Sequence, residues 1–200
     1  MKEPIALLLT AMAGMVPILL SLLAAPTNSS PPSSHIPAAD GFDFPVGSPN
    51  AQGYYDAQPY GRNRHLGSDW NGNGGGNSDL GDPVFAIAHG KVTRVHDYGR
   101  GWGLVVTIRH SVDPSVSEEG TIESLYAHLD ETLVTPGQIL TRNQPIGTIG
   151  TAHGAWPAHL HFEIRQTVGL PIGTGYGVAQ SHTDPTAFIQ QHRPASKKDT

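Results

Sequence analysis

The amino-acid sequence predicts a compact, mainly antiparallel β-sheet or sandwich-like domain, with long loops around a groove and little helix. Glycine and proline contribute 24 and 17 of the 200 residues, and only 14% of residues are charged. This composition is typical of short strands joined by tight turns. Six segments rich in β-branched or aromatic residues follow one another, with Gly, Pro or Asn in the gaps. They span residues 84–88, 91–97, 104–110, 122–129, 146–149 and 159–165.

The groove is predicted from the alternation of polar and apolar residues in two of these strands, because successive strand residues point to opposite faces. In residues 159–165 the polar face holds His159, His161, Glu163 and Arg165, and the apolar face holds Leu160, Phe162 and Ile164. In residues 122–129 the same rule groups Ser124, Tyr126 and His128 on one face and Leu125, Ala127 and Leu129 on the other. Two polar faces that carry histidines in one small sheet predict the wall of a groove.

One short helix is predicted near the C-terminus. Asp184 is a suitable N-cap, because its side chain can accept a hydrogen bond from a free backbone N–H of the first turn. Pro185 suits the first helical position, and residues 186–191 continue the helix.

The N-terminal region predicts export. Residues 5–25 form an uncharged, mostly apolar run behind Lys2, which is the pattern of a signal peptide. The run is also long enough for an uncleaved anchor in the cytoplasmic membrane. Both alternatives place the domain in the periplasm, the cell envelope or the medium. We expect residues 1–25 to be the signal or anchor, 26–40 a Ser/Pro-rich linker, 41–193 the domain and 194–200 a polar tail.

Charge and cysteine content exclude one class of partner and one class of metal site. The net charge is −5, and the 12 Lys and Arg residues form no basic stripe, so nucleic acid is not an expected partner. The chain has no cysteine, which excludes disulfides and zinc–thiolate sites.

Histidines and a carboxylate occur in two distant segments that can together form a zinc site. His65 and Asp69 lie among glycines and asparagines that disfavour a helix, and His159 and His161 occupy alternate positions of a strand. Two imidazoles and a carboxylate suit a catalytic zinc, which keeps a fourth position for water. His128, from a third segment, could act beside such a metal. Taken singly, each motif also fits an ordinary surface contact or a polar strand face.

Taken together and in this order, the segments resemble the lysostaphin-type zinc endopeptidases, a family that cuts the peptide parts of bacterial peptidoglycan. The resemblance runs from about Tyr60 to Arg165. It includes the stretches HLGSD from His65, GDPVFA from Gly81, HGKV from His89, LYAHL from Leu125, PGQ from Pro136, PIGTIG from Pro145 and HLHFEIR from His159.

The resemblance implies one zinc ion per chain, bound by His65, Asp69 and His161. His128 and His159 would then flank the metal-activated water, one as general base and the other at the developing oxyanion, in an order that the sequence leaves open. The implied reaction is hydrolysis of stem-peptide cross-links or bridges in peptidoglycan. Two alternatives remain. One is a non-catalytic relative that binds the wall or regulates another hydrolase, and the other is an exported peptidase for Gly-rich proteins.

Three segments depart from the usual pattern of the family. Residues 71–77 and 111–120 are insertions, which we expect either to border the groove or to be tolerated surface loops. Residues 153–158 replace the Ser-Thr-Gly that often precedes the His-x-His pair. In this segment, His153 and Trp156 could contact substrate or have structural roles.

Two further positions have open roles. Glu163 lies on the ligand face and could orient an imidazole, or form a salt bridge or lie exposed. Tyr60 lies near the place where family members often have an oxyanion-stabilising tyrosine, but Tyr54 and Tyr55 compete with it for this role.

Overall fold

The structure, a computed structural model, describes residues 35–195. The predicted signal or anchor at residues 5–25, most of the linker and residues 196–200 lie outside the described residues, and what is expected of them stays a prediction. Within residues 35–195, no helix is long and apolar enough to cross a membrane.

The described chain forms ten strands and one α-helix. The strands are β1 (Tyr54–Gln58), β2 (Ser68–Gly72), β3 (Pro83–Phe85), β4 (Gly90–Asp97), β5 (Leu104–Ser111), β6 (Thr121–Thr132), β7 (Ile139–Leu140), β8 (Pro145–Ile149), β9 (Leu160–Arg165) and β10 (His182–Thr183). The helix α1 spans Pro185–Gln191, and short single-turn segments occupy Gly47–Ala51 and Arg62–Arg64.

The strands pair into one sheet in the order β1-β2-β9-β6-β5-β4-β7. Strand β10 pairs with β9, and β8 joins β3 to β6. Every pair of these strands is antiparallel. The predicted mainly antiparallel β fold with little helix is therefore confirmed.

All six predicted strands occur, although the first is shorter and begins one residue earlier, as Pro83–Phe85. Strands β1, β2, β7 and β10 were not predicted. The helix follows its prediction, since it begins at Pro185 and the carboxylate of Asp184 accepts a hydrogen bond of 3.0 Å from the backbone N–H of Ala187.

The main core lies on one face of the sheet. Leu160, Phe162 and Ile164 of β9 are fully buried there, as their alternation predicts. Phe188 of α1 packs edge-on against Phe42, with ring centroids 5.0 Å apart, and so closes this core. A smaller apolar cluster consists of Val105, Leu125 and Ala127, covered by Trp102 and Ile172.

The last residues of the predicted linker contact the domain. The backbone N–H of Ala39 donates to the carbonyl of Ser111 at 2.8 Å, and Ala38 forms a parallel bridge with the same residue. The carboxylate of Asp40 lies 2.9 Å from Nε of Arg142. Residues 38–40 therefore belong structurally with the domain rather than with a free tether.

The insertion at residues 111–120 lies far from the predicted groove, contrary to one of the two expectations for it. It joins β5 to β6 where Ser111 pairs with Thr121, whereas His128 lies beside the pair formed by Leu104 and Leu129. His128 lies seven residues further along β6 than Thr121, a distance of about 23 Å at the usual rise of a strand. The periodicity of a sequence gives strand content but does not reveal at which end of a strand the site lies.

Candidate metal centre and active site

The sheet register brings two of the predicted ligands side by side. Asp69 of β2 pairs directly with His161 of β9, and Gln58 of β1 pairs with Asp69 on the other side. Because directly opposed residues of antiparallel strands project from the same face, the Asp69 carboxylate and the His161 imidazole converge. This face is opposite to the one that carries Phe162 and the main core.

His65 approaches the same point from the turn before β2. Its backbone forms an antiparallel bridge with Tyr176, and its side chain is only 1% exposed. The ring nitrogen Nδ1 lies 2.9 Å from the carbonyl of Gln58, which can only accept, so Nδ1 carries the proton. The lone pair of Nε2 is then free to face His161 and Asp69.

Three potential ligand atoms form a small triangle. Nε2 of His65 lies 3.0 Å from Nδ1 of His161 and 3.4 Å from Oδ1 of Asp69, and the last two atoms are 2.9 Å apart. In a tetrahedral zinc site with ligand bonds of about 2.0–2.1 Å, neighbouring ligand atoms are roughly 3.3 Å apart. The donor set and its spacing therefore fit a zinc ion, and the three residues are the one such group among residues 35–195.

Glu163 fixes the orientation of His161. Its Oε1 accepts a hydrogen bond of 2.9 Å from Nε2–H of His161, which leaves Nδ1 of that ring as the metal-facing nitrogen. Its Oε2 accepts a hydrogen bond of 2.7 Å from Nε of Arg165, and Nε2 of His182 lies 3.3 Å away. Of the roles left open for Glu163, the structure thus shows both contact with an imidazole and a buried salt bridge.

The polar face of β9 is less open than its alternation predicts. Glu163 and Arg165 are each only 1% exposed, so this end of the face is buried and does not form a groove wall. The guanidinium of Arg165 donates to the carbonyl of Leu170, in the segment that follows β9. The sequence pattern of β9 does not indicate that the segment after this strand covers Glu163 and Arg165.

The charges around the ligand triangle favour a bound cation. Burial disfavours a protonated His161, but its hydrogen bonds to Asp69 and Glu163 outweigh this effect and raise its pKa to about 9. Burial likewise disfavours ionised Asp69 and Glu163, yet the imidazoles that face them hold the pKa of both carboxyls below the usual range. Two ionised carboxylates therefore flank the His161 imidazole.

His128 reaches the site through an exception to strand alternation. The face assignment of residues 122–129 was wrong, because Tyr126 pairs with Phe162 and packs into the main core. Ala127, opposite His161, lies on the site face, so regular alternation would turn His128 towards the core. At His128 the backbone instead adopts a left-handed conformation with φ of 65°, beside a register shift against β5. The His128 ring therefore lies near that of His161, with centroids 5.6 Å apart.

Both remaining histidines have Nδ1 directed at a backbone carbonyl. Nδ1–H of His128 donates to the carbonyl of Trp102 at 3.1 Å, and Nδ1–H of His159 donates to the carbonyl of Pro157 at 2.8 Å. Burial and the charges of the other histidines lower the pKa of His128 to about 3, so this ring is neutral. The two rings lie 4.7 Å apart, and Nε2 of His159 is 3.8 Å from Oδ1 of Asp69.

A cavity of about 280 Å³ opens directly on this centre. Besides Asp69, His128, His159 and His161, it is lined by Gln58, Gly101, Trp102, Trp156, Thr174, Gly175 and Tyr176. Trp156 was a candidate from the sequence, whereas Trp102 and Tyr176 were missed. Each of these two aromatic residues lies between glycines in a loop, a pattern that could have marked them as groove residues.

The other candidates lie outside this cavity. Tyr60 donates its hydroxyl to the carbonyl of His182, and Tyr54 donates to Asp82, so neither lines the cavity. His153 pairs with Asp97 at 2.9 Å on the surface. The insertion at residues 71–77 does lie beside the site, because Asn77 bonds the backbone immediately before His159.

The chain is similar to known peptidases in both sequence and fold. The family model of peptidase family M23 matches residues 64–179, which contain all five predicted site residues. A solved structure, a putative M23 peptidase from Pseudomonas aeruginosa, has the same fold with a TM-score of 0.53 and 24% identity. That match covers 78% of this chain and 52% of the other.

Three relatives share shorter segments, each covering 42% of this chain. Identity is 38% over 85 residues with the uncharacterized lipoprotein YgeR of Escherichia coli, 33% over 87 residues with the peptidoglycan DD-endopeptidase ShyB of Vibrio cholerae, and 35% over 85 residues with the murein hydrolase activator NlpD of Escherichia coli. The matches cover 30%, 18% and 20% of those proteins. The chain thus spans less than a third of the length of each of the three.

Proposed function

Because this chain belongs to peptidase family M23, we propose that it is an exported, zinc-dependent endopeptidase that hydrolyses peptide bonds in bacterial peptidoglycan. The observation that carries the proposal is the triangle of His65, Asp69 and His161, two of which, Asp69 and His161, line the cavity. In both imidazoles the second nitrogen donates to a fixed acceptor, the carbonyl of Gln58 or the carboxylate of Glu163. This is the arrangement that prepares histidines to bind a metal.

His65, Asp69 and His161 would hold one zinc ion. When bound, zinc lowers the pKa of a coordinated water and polarises a carbonyl group. His128 and His159 would handle the proton, because each has its Nδ1–H committed to a backbone carbonyl and keeps Nε2 as an acceptor. The ring that acts as general base would take the proton of the attacking water and return it to the leaving amine.

The proposed substrate follows from the relatives and from the shape of the cavity. ShyB carries the name of a peptidoglycan endopeptidase and NlpD that of a murein hydrolase activator, so both names concern the cell wall. YgeR is named a lipoprotein, which agrees with export of this chain. Trp102, Trp156 and Tyr176 give the cavity apolar walls that can hold a peptide over the metal centre.

The test compares the purified protein with four single substitutions. His161→Ala and Asp69→Ala should lose zinc and activity together, because each removes a ligand. His128→Ala and His159→Ala should keep most of the zinc and lose activity by about 10²- to 10⁴-fold, the usual value of a general acid–base group. The proposed hydrolase activity would be refuted if the zinc-loaded protein failed to digest peptidoglycan from several bacteria at any pH between about 5 and 9.

The NlpD match supports one further candidate, a wall protein that activates another hydrolase. If the protein is only an activator, the His159→Ala variant should stimulate that hydrolase as strongly as the wild type does. A peptidase for Gly-rich proteins, the other alternative, would prefer glycyl peptides to D-amino-acid cross-links.

A further inference from the structure

The backbone before His159 is held by a side chain of the insertion at residues 71–77. His159 directly precedes β9, and its own N–H makes only a long bond of 3.3 Å to the carbonyl of Gly150. One residue earlier, the N–H of Ala158 donates to Oδ1 of Asn77 at 2.9 Å. Nδ2 of Asn71 donates to the carbonyl of Ala158 at 3.4 Å. The two asparagines therefore bond both the backbone N–H and the carbonyl of this buried alanine.

The bond to Asn77 acts on the same peptide group that orients the His159 ring. The peptide between Pro157 and Ala158 presents its N–H to Asn77 and its carbonyl to Nδ1–H of His159. A trans peptide is planar, with its carbonyl and N–H pointing in opposite directions. Fixing the N–H therefore fixes the direction of the carbonyl, and with it the ring angle and the tautomer of His159.

We infer that Asn77 is a positioning residue for His159, acting through the Pro157–Ala158 peptide group. The inference rests on the proposed function only in that His159 takes part in the reaction. Without the Asn77 acceptor, the Ala158 N–H would lose its partner and the peptide group could rotate. The Pro157 carbonyl would then no longer hold the Nδ1–H tautomer that leaves Nε2 as the acceptor.

The test compares Asn77→Ala and Asn77→Asp in the full chain. Asn77→Ala removes the acceptor, and we expect kcat to fall by about 10- to 100-fold, the effect of a misplaced catalytic group. KM and zinc affinity should stay within about twofold, because Asn77 does not line the cavity and its hydrogen bond is to Ala158 rather than to a proposed metal ligand. Asn77→Asp keeps an oxygen acceptor and should restore most of kcat.

Asn73→Ala is the matched control, because Asn73 lies in the same loop and no side-chain hydrogen bond involves it among residues 35–195. It should leave kcat unchanged. Hydrogen exchange at the Ala158 amide and the nitrogen chemical shifts of the His159 ring should both change in Asn77→Ala and remain native-like in Asn77→Asp. These two measurements need no catalytic turnover.

The outcomes separate the two proposals. If Ala158 exchanges faster in Asn77→Ala while the His159 tautomer and kcat stay native, the bond is merely structural and the inference is overturned. Equal loss of kcat in Asn77→Ala and Asn73→Ala would also overturn it, since the loop as a whole would then matter. If the wild type digests nothing, the proposed function fails, and the tautomer measurement still decides the role of Asn77.

Discussion

Replacing Glu163 by glutamine tests how the structure prepares His161 for a metal. The carboxylate accepts from Nε2–H of His161 through one oxygen and from Nε of Arg165 through the other. A glutamine of the same shape has one oxygen and one NH₂ group, so it can satisfy only one of these two donors.

Both orientations of the glutamine disfavour zinc. If its oxygen faces Arg165, its NH₂ group faces His161, whose Nε2 must then accept, and the proton moves to the nitrogen that faces the metal. If its oxygen faces His161, the NH₂ group opposes the buried guanidinium. Loss of such an outer partner weakens metal binding by about 10- to 100-fold, or about 1.4–2.7 kcal/mol.

Competition with a zinc chelator measures this change, with Glu123→Gln as the matched control. Glu123 is equally buried and lies 3.6 Å from Arg165, and it accepts hydrogen bonds from the Thr93 hydroxyl and the Gly169 N–H rather than from a histidine. We expect Glu123→Gln to lower stability and to leave zinc affinity within about twofold. Zinc affinity of Glu163→Gln within about threefold of the wild type would refute the proposed control of the His161 tautomer.

Three further predictions concern the stability of the fold. His110 is fully buried, and burial lowers its pKa from 6.5 to about 4. As the pH falls, His110 therefore takes up its proton in the unfolded chain before it does so in the folded protein. The stability that neutral His110 contributes is complete above pH 6.5 and should be lost as the pH falls towards 4. The expected decrease in the free energy of unfolding is about 2 kcal/mol at pH 5. Denaturant unfolding of His110→Gln should show a shallower decline over this range, and parallel curves would contradict the assignment. Phe162→Ala should cost about 3–5 kcal/mol in urea unfolding by opening a core cavity, and a loss below about 1 kcal/mol would contradict its packing. His128→Gly should be about 1 kcal/mol more stable than His128→Ala, the reverse of the usual order in a strand, because only glycine accepts a left-handed backbone freely; the opposite order in thermal unfolding would exclude that conformation.

Much of the candidate site could be predicted from the sequence because it depends on local pattern. The alternation of residues 159–165 identified the face on which His161 lies, and the Gly- and Asn-rich setting of Asp69 excluded a helix. Strand β2 itself was not predicted, since its sequence SDWNG has no β-branched residue. Its conformation is imposed by pairing with β9 on one side and β1 on the other, which is a tertiary effect that overrides propensity.

The burial of strand residues by distant loops also could not be predicted from the sequence. The sequence placed Glu163 and Arg165 on an accessible face, but the residues after β9 cover them. These residues contain short glycine-rich turns with no strand or helix pattern, so their path over the sheet cannot be read locally. Tyr176 pairs with His65 and enters the cavity wall for the same reason.

The positions of His128 and His159 beside the proposed metal site could not be derived from sequence periodicity, and His128 shows why. A regular strand would carry His128 on the core face beside Tyr126, and the motif LYAHL gives no sign that the backbone inverts there. The inversion is supported by Trp102, whose carbonyl accepts both the backbone N–H and the ring Nδ1–H of His128. His159 also stands outside the regular ladder and also rests its ring on a carbonyl. Both rings are therefore oriented by irregular backbone next to the strands, while the three proposed ligands come from strands β2 and β9 and the turn that leads into β2. The left-handed conformation of His128 carries a cost of about 1–3 kcal/mol for a non-glycine residue, which a fold retains where the side chain has a task.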